Sequence, residues 1–390
     1  PNALVLAAHG RPLTVDGIPD KTCTAFAYPD TWLEVGYMDL GQKRKFNFGV
    51  GCAGGHSVLL VDGWEGMRAF SKYPQAKLRA FSEAEKSVTA EVTPLYRERW
   101  PDARVVCRRS RLCHERFWLI EDFARFDQSH LFTARFYLRP GRIPAARGVA
   151  IETAEGVRLH LLPILGSDNG RSETVAGYPT VLDGASLRVD FTQYGSECRW
   201  LWLAWPEATR RVVSDESNGW AALPDAASAL DPAAARAGLA TVSQTLPLTE
   251  PPFILSDLPV CRRWWFRKRL AVPAGAAWLR LPKRMLEPRL WVDGAEIDLE
   301  PHALRMGLLE PEVALPPAAA GRTVEILLRC DTGHSQCAPG GNGGAGFSGQ
   351  PALLGPQAAA GVEGVDYRDG QVTVRAGGQE WTVTHDLMEI

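Results

Sequence analysis

The stretch His56-Ser57-Val58-Leu59-Leu60-Val61-Asp62-Gly63-Trp64 reads as an apolar strand running into a tight turn. Asp-Gly is a favoured pair where the backbone must take positive φ at successive positions, so Asp62-Gly63 marks a hairpin between β runs. The same style extends outward in both directions. Residues 3–8, 11–16 and 46–50 precede it as short apolar runs, and 67–73, 77–82 and 86–92 follow. Residues 104–109, 115–122 and 130–138 then form a meander closed by Arg139-Pro140-Gly141, and 148–153, 156–163, 187–194 and 198–205 continue it. The 37 glycines and 28 prolines punctuate these runs. So many consecutive strands without intervening helices predict an all-β protein built as a large antiparallel β-sandwich.

Residues 208–250 change character. Ala221 to Ala240 is rich in Ala, Pro and Asp, and Asp231-Pro232 is suited to start a short helix with Asp at the N-cap and Pro in the first turn. This segment reads either as a linker or as a helix on the sandwich edge. A second β module begins at Pro251. It contains a long strand over residues 261–272 in which aromatic and basic residues interleave, Trp264, Trp265 and Phe266 among Arg262, Arg263, Arg267, Lys268 and Arg269, and a Gly-rich loop at 339–349. The expected organisation is 1–207 as a β-sandwich, 208–250 as linker or edge helix, 251–357 as a smaller β module, and 358–390 as a terminal β-hairpin.

The bulk numbers exclude some classes. Of 390 residues, 43 are Lys or Arg and 45 are Asp or Glu, a net charge of −2 that gives no argument for nucleic acid. No apolar run approaches the ~20 residues of a membrane span. The eight cysteines, Cys23, Cys52, Cys107, Cys113, Cys198, Cys261, Cys330 and Cys337, include no CxxC pair. Cys107 with Cys113 and Cys330 with Cys337 are close enough to bridge across short loops; buried free thiols are the other reading. The chain opens on Pro1, which reads as a processed or truncated start.

Asp16 ends one strand-like run and His56 opens another, and neighbouring strands could bring a carboxylate and an imidazole together as part of a zinc shell. On spacing alone, a single Asp and a single His are more often a turn cap and a hydrogen-bonded surface histidine. Residues 97–116 carry seven arginines against Glu98, Asp102 and Glu115, a local excess that includes Arg109 and Arg111. Arginine pairs bidentately with carboxylate or sulfate, so this run could face an anionic sugar chain. A solvated, charged strand face is the alternative. Trp264 and Trp265 could stack on sugar rings or fill a core. His114 and His130 read as structural.

These residues carry a resemblance. Asn2 to Gly17, followed by His56 to Gly63, is similar to the opening of the carboxy-terminal β domain of heparinase II/III-type polysaccharide lyases. The run from Val105 to Pro140 extends the likeness, with Arg109, Arg111, Phe117-Trp118-Leu119-Ile120, Asp122 and His130, so that it covers roughly residues 1–205. The resemblance implies Asp16 and His56 as ligands of Zn²⁺ or another divalent metal, and Tyr28 as a proton donor or substrate contact. It also implies a third metal-binding His and a catalytic His ahead of Pro1, together with a helical α/α toroid domain. Residues 255–357 resemble the sugar-binding jelly-roll domains of β-galactosidase-type glycosidases. The function implied is β-elimination on an anionic, uronic-acid-containing polysaccharide, in the periplasm or outside the cell. A non-catalytic carbohydrate-binding or scaffold protein is the competing expectation.

Overall fold

The structure is a computed structural model. It describes residues 6–8, 11–12, 57–64, 77–97, 99–176, 185–225, 227–243, 245–246, 248, 263–282, 285–299, 310–332 and 350–388. These are nearly all β, and the antiparallel sheets expected from the sequence are present. The chain divides into two compact units: Pro1–Ala208 with Ala359–Ile390, and Thr209–Ala358.

The strands of the first unit are β1 (Ala7–Ala8), β2 (Arg11–Pro12), β3 (Leu59–Val61), β4 (Lys77–Ser82), β5 (Ser87–Glu91), β6 (Ala103–Cys113), β7 (Phe117–Leu138), β8 (Arg142–Ile143), β9 (Val149–Glu152), β10 (Val157–Leu165), β11 (Arg171–Ala176) and β12 (Ala185–Ala208). A short helix, α1 (Thr93–Arg97), precedes β6. Apart from the β1–β2 pair, the strands form one sheet in the order β4-β5-β6-β7-β12-β10-β9-β8, with β3 added to β7 and β11 to β12.

Two strands are longer than the sequence pattern implied. The runs expected at 115–122 and 130–138 are one strand, β7, and those at 187–194 and 198–205 are one strand, β12. The gaps left between those runs, 123–129 and 195–197, instead contain an irregularity where the pairing shifts register between Gly195 and Glu197. The long strands fold back across this point. The rings of Phe191 and Trp202, eleven residues apart on β12, lie with centroids 4.7 Å apart, whereas eleven extended residues span about 36 Å. The sheet thereby encloses its own core, where Phe136 meets Trp202 edge-on and Ile120, Phe132, Leu159 and Trp200 are buried.

The second unit contains β13 (Arg210–Asp215), β14 (Trp220–Asp225), β15 (Thr245–Leu246), β16 (Arg263–Ala271), β17 (Trp278–Arg280), β18 (Met285–Val292), β19 (Ala295–Ile297), β20 (Glu312–Ala314), β21 (Thr323–Thr332) and β22 (Ala352–Pro356). They form a four-stranded sheet, β13-β22-β17-β20, and a six-stranded sheet, β15-β14-β16-β21-β18-β19. Trp220, Phe266, Leu279, Leu290, Ile326 and Leu353 are buried together in the core of this unit. Residues 208–250 thus supply strands as well as a helix, α2 (Pro232–Ala240). Asp231 caps that helix by accepting a 2.8 Å bond from the Ala234 N–H. Ala235 and Leu239 pack against Trp265 and Trp291.

After β22 the chain returns to the first unit. Residues 358–390, expected as a hairpin, carry three strands: β23 (Val362–Arg368), β24 (Gln371–Ala376) and β25 (Gln379–Thr384). Val372, Val374 and Val383 cover Phe117, Leu203 and Trp205 on the face of the large sheet opposite the main core. Cys107, Cys113, Cys198 and Cys330 are buried free thiols. Cys107 and Cys113 share the extended strand β6, so no short loop brings them together.

Candidate functional site

Asp16, Tyr28 and His56 lie outside the described residues. The residue after His56 is described, and its surroundings are specific. Ser57 is buried and leads into β3, which pairs with the second half of β7. Its Oγ accepts a 2.9 Å bond from the Tyr137 N–H. Its carbonyl accepts a 2.6 Å bond from Arg108 Nη1. The next carbonyl, Val58, accepts from the Arg135 N–H at 2.9 Å.

The donor at Ser57 is part of a buried ion pair. Arg108 on β6 faces Asp122 on β7, with Nε to Oδ1 at 2.7 Å and Nη2 to Oδ2 at 2.9 Å. Asp122 Oδ2 also accepts the Trp202 indole N–H at 3.2 Å. Side-chain exposure is 4% for Arg108 and 0% for Asp122. Charges so far from water are tolerated only when paired and fully hydrogen-bonded. Further along β3, the Tyr96 hydroxyl donates to the Leu59 carbonyl, and burial pushes its pKa well above the ordinary tyrosine range. The chain that emerges from His56 is therefore held rigidly from its first residue onward.

Period-2 alternation sends the neighbours of Arg108 to the other face of the sheet. There Arg109 and Arg111, expected to meet a sugar chain, hold the chain's own carboxy-terminal segment. Arg109 Nη2 bonds Glu121 Oε2 at 2.7 Å and also donates to the Asp386 carbonyl. Arg111 Nη1 donates to the Thr384 carbonyl at 2.6 Å. Glu121 is fully buried and collects further donors: Arg199 Nη1 at 2.5 Å, the Met388 N–H at 3.0 Å and the His385 ring at 3.3 Å. Burial alone would raise the Glu121 pKa. The bonds from His385 and Met388, with the Arg109 and His385 charges, outweigh burial and hold it below the usual carboxylate range. This four-donor centre was not anticipated from the sequence.

Trp264 and Trp265 are core side chains, not a sugar platform. Trp264 is 6% exposed and Trp265 1%. Trp265 stacks on Trp291 with centroids 5.4 Å apart and donates its indole N–H to Asp225 Oδ2 at 3.2 Å. Trp264 stacks on Phe266 inside the sandwich. Neither ring offers a face to a ligand. Among the described residues no group of three His, Cys, Asp or Glu side chains could hold a metal ion, and no helix is long and apolar enough to cross a membrane.

No family model matches the chain, and no curated protein matches it in sequence. Solved structures give partial likenesses. A heparinase III matches at 10% identity with TM-score 0.39, over 57% of this chain and 32% of that one. Heparan sulfate lyase HepC from Pedobacter heparinus matches at 14% and 0.36, over 59% and 32%. A β-glucuronidase of Faecalibacterium prausnitzii matches at 16% and 0.29, over 46% and 41%. The chain thus spans about a third of the length of the heparinase structures it matches. Likeness at this level is no ground for assigning chemistry, which belongs to sites and not to folds.

Proposed function

We propose that this chain is the β-sheet portion of a polysaccharide lyase that cleaves anionic, uronic-acid-containing polysaccharide by β-elimination, acting with a helical toroid domain. The observation that carries the reading is the double anchoring of Ser57, the residue next to His56. A side chain that takes part in catalysis must be held to within about 0.5 Å of its productive position by a rigid surround.

β-Elimination removes the C5 proton of a uronate, which is acidic only when the adjacent carboxylate is neutralised by preorganised donors. A base takes that proton and an acid protonates the leaving oxygen. In this reading Tyr28 carries one of these transfers at its hydroxyl. Asp16 and His56 are proposed to hold a divalent metal, zinc foremost, which when bound would clamp the sheet edge that faces the substrate. Arg109 and Arg111 are given no substrate role, because their guanidinium groups are engaged within the fold. The second unit is proposed as a jelly-roll-like buttress. A polysaccharide substrate argues for a periplasmic or secreted enzyme.

The test is incubation of the full-length protein with heparan sulfate, hyaluronan and alginate while ultraviolet absorbance reports unsaturated uronate. Product from at least one of them, lost in Tyr28→Phe and His56→Ala, is the expected result. Binding without absorbance on every substrate would sink the lyase reading in favour of a carbohydrate-binding or scaffold protein. Metal content that is unchanged in Asp16→Ala and His56→Ala would separately remove the metal assignment.

A further inference from the structure

His130 sits on β7 immediately after the irregular stretch 127–129. It faces the main core, against Phe126 at 4.6 Å, Trp100 at 5.9 Å and Phe132 at 6.5 Å between ring centroids. Both of its ring nitrogens meet carboxylates. Nδ1 lies 2.7 Å from Asp62 Oδ2, and Nε2 lies 3.2 Å from Asp102 Oδ2. A neutral imidazole has one N–H and one lone pair, so it can donate to only one of these two groups. Both bonds form together only in the imidazolium.

Each carboxylate is tied to main chain on its other side. Asp62 Oδ1 accepts the Leu131 N–H at 2.8 Å, and the Asp62 N–H donates to the Leu131 carbonyl at 2.8 Å. Asp102 Oδ2 also accepts the Gln128 N–H at 3.1 Å, and the Asp102 carbonyl accepts the Asp127 N–H at 3.2 Å. His130 therefore links three segments distant in sequence: the turn after β3, the turn before β6 and the irregular stretch of β7. Among the described residues, the other charged groups on these segments are the Arg104–Asp127 pair, which joins β6 to β7, and Arg99, whose guanidinium lies over the Trp100 ring at 5.5 Å. None of these donates to the imidazole.

We propose that His130 is a proton-operated clasp: the imidazolium ties all three segments together, and deprotonation keeps the Nδ1 bond to Asp62 while releasing Asp102. The asymmetry follows from the distances. The remaining proton stays on the shorter Nδ1 bond, and the Nε2 lone pair then faces a carboxylate oxygen, which is repulsive. The Asp102 turn and residues 127–129 loosen, and the Asp62 turn stays. Electrostatics agree in direction. Burial alone would lower the imidazole pKa, but the hydrogen bonds to Asp62 and Asp102, and their charges, outweigh it and raise the pKa above the ordinary histidine value. The same contacts outweigh burial at Asp62 and Asp102 and lower theirs. A raised folded-state pKa means that the clasp is fully closed below the unfolded value of about 6.5 and opens as pH climbs through the folded one.

The experiment is histidine-ring nitrogen NMR on the full chain as a function of pH, with the His130 signal assigned by its loss in His130→Gln. A midpoint above that of an unperturbed histidine side chain, with both ring nitrogens protonated below it, is expected. Amide exchange gives the directional readout. Above the midpoint, Gln128 should exchange on the order of tenfold faster relative to Leu131, which serves as internal reference for base-catalysed exchange. Asp102→Asn should lower the His130 midpoint and abolish that difference. A midpoint at or below the ordinary histidine value would overturn the proposal, as would Gln128 and Leu131 amides that respond to pH in parallel. The exchange comparison of Gln128 with Leu131 uses the unsubstituted chain, so it tests the proposal even where His130→Gln fails to fold.

Discussion

Arg108 and Asp122 lie directly opposite each other on β6 and β7 and are joined by two hydrogen bonds of 2.7 and 2.9 Å in a region closed to water. The guanidinium reaches past its partner to the Ser57 carbonyl, so the pair does more than neutralise itself. One consequence concerns stability. Asp122→Asn leaves a buried, uncompensated arginine and should cost about 3–5 kcal/mol. Replacing both partners, Arg108→Met with Asp122→Leu, removes the charges. It leaves the Ser57 carbonyl and Trp202 indole short of one partner each, about 1–3 kcal/mol apiece. Together these come to about 2–6 kcal/mol, short of the roughly 6–10 kcal/mol expected if Arg108→Met and Asp122→Asn each stranded a charge independently. Urea denaturation of the two single variants and the double variant should show that coupling, and additive losses would mean that the pair is not buried as described.

Glu121 should set an acid limit for the carboxy-terminal segment. Its pKa is depressed relative to the unfolded chain, so its contribution to stability is present above the unfolded value and is lost as pH falls through the lower, folded one. The segment Thr384–Met388 should therefore stay attached through the pH range in which ordinary glutamates titrate, and release only below it. Hydrogen exchange at the Met388 amide, which donates to Glu121, reads this directly. Glu121→Ala strands Arg109, Arg199 and His385 and should deprotect Met388 already at neutral pH, with a loss of about 3–5 kcal/mol.

Arg111 donates to a main-chain carbonyl of its own chain. Arg111→Gln should then leave the salt concentration needed to elute the protein from immobilised heparin nearly unchanged. The midpoint of thermal unfolding should drop modestly, in line with about 0.5–1.5 kcal/mol for one hydrogen bond. A large fall in elution salt with no change in unfolding would restore the arginine to a ligand-facing role.

Gly141 takes φ +113°, and a Cβ built there would meet the Glu152 carbonyl oxygen at 2.1 Å. No rotamer change relieves a clash with backbone, and the φ itself is strained for any other residue. Gly141→Ala should destabilise the first unit by more than about 2 kcal/mol, visible in its urea midpoint. Gly63→Ala offers the control. Its φ is also positive, but nothing lies within 4 Å of the added atom, so only the conformational cost of about 1–2 kcal/mol applies.

The architecture was legible where local chemistry and pattern agree. Alternating apolar runs announced the strands, Asp62-Gly63 announced a turn that forms with φ 48° and 67°, and Asp231-Pro232 announced a capped helix. Strand length was harder. Asp127-Gln128-Ser129 has the composition of a loop, but long neighbours carry it through as an irregular stretch of β7. The roles of the arginines were hidden for a related reason. Arg108 and Arg109 are adjacent in sequence, and composition treats them alike. The turn at His114-Glu115 fixes a register that sets Arg108 against Asp122 on one face and Arg109 against Glu121 on the other. Both turn residues have positive φ without glycine or asparagine to advertise it, so the register could not be read from residue types. Trp264 and Trp265 show the limit of composition in another way, since adjacent tryptophans on a strand covered on both faces are both buried.

The return of residues 359–390 to the first unit carries a consequence for synthesis. The face formed by Phe117, Leu119, Leu201, Leu203 and Trp205 is complete once β12 has been made, but its cover from β23 to β25 is separated from it by the whole of Thr209–Ala358. A ribosome adding about 5–20 residues per second needs roughly 8 to 30 seconds to traverse that interval. For that time the nascent chain carries a bare aromatic and aliphatic sheet face. It is the stage at which chaperone capture or aggregation would compete with correct folding.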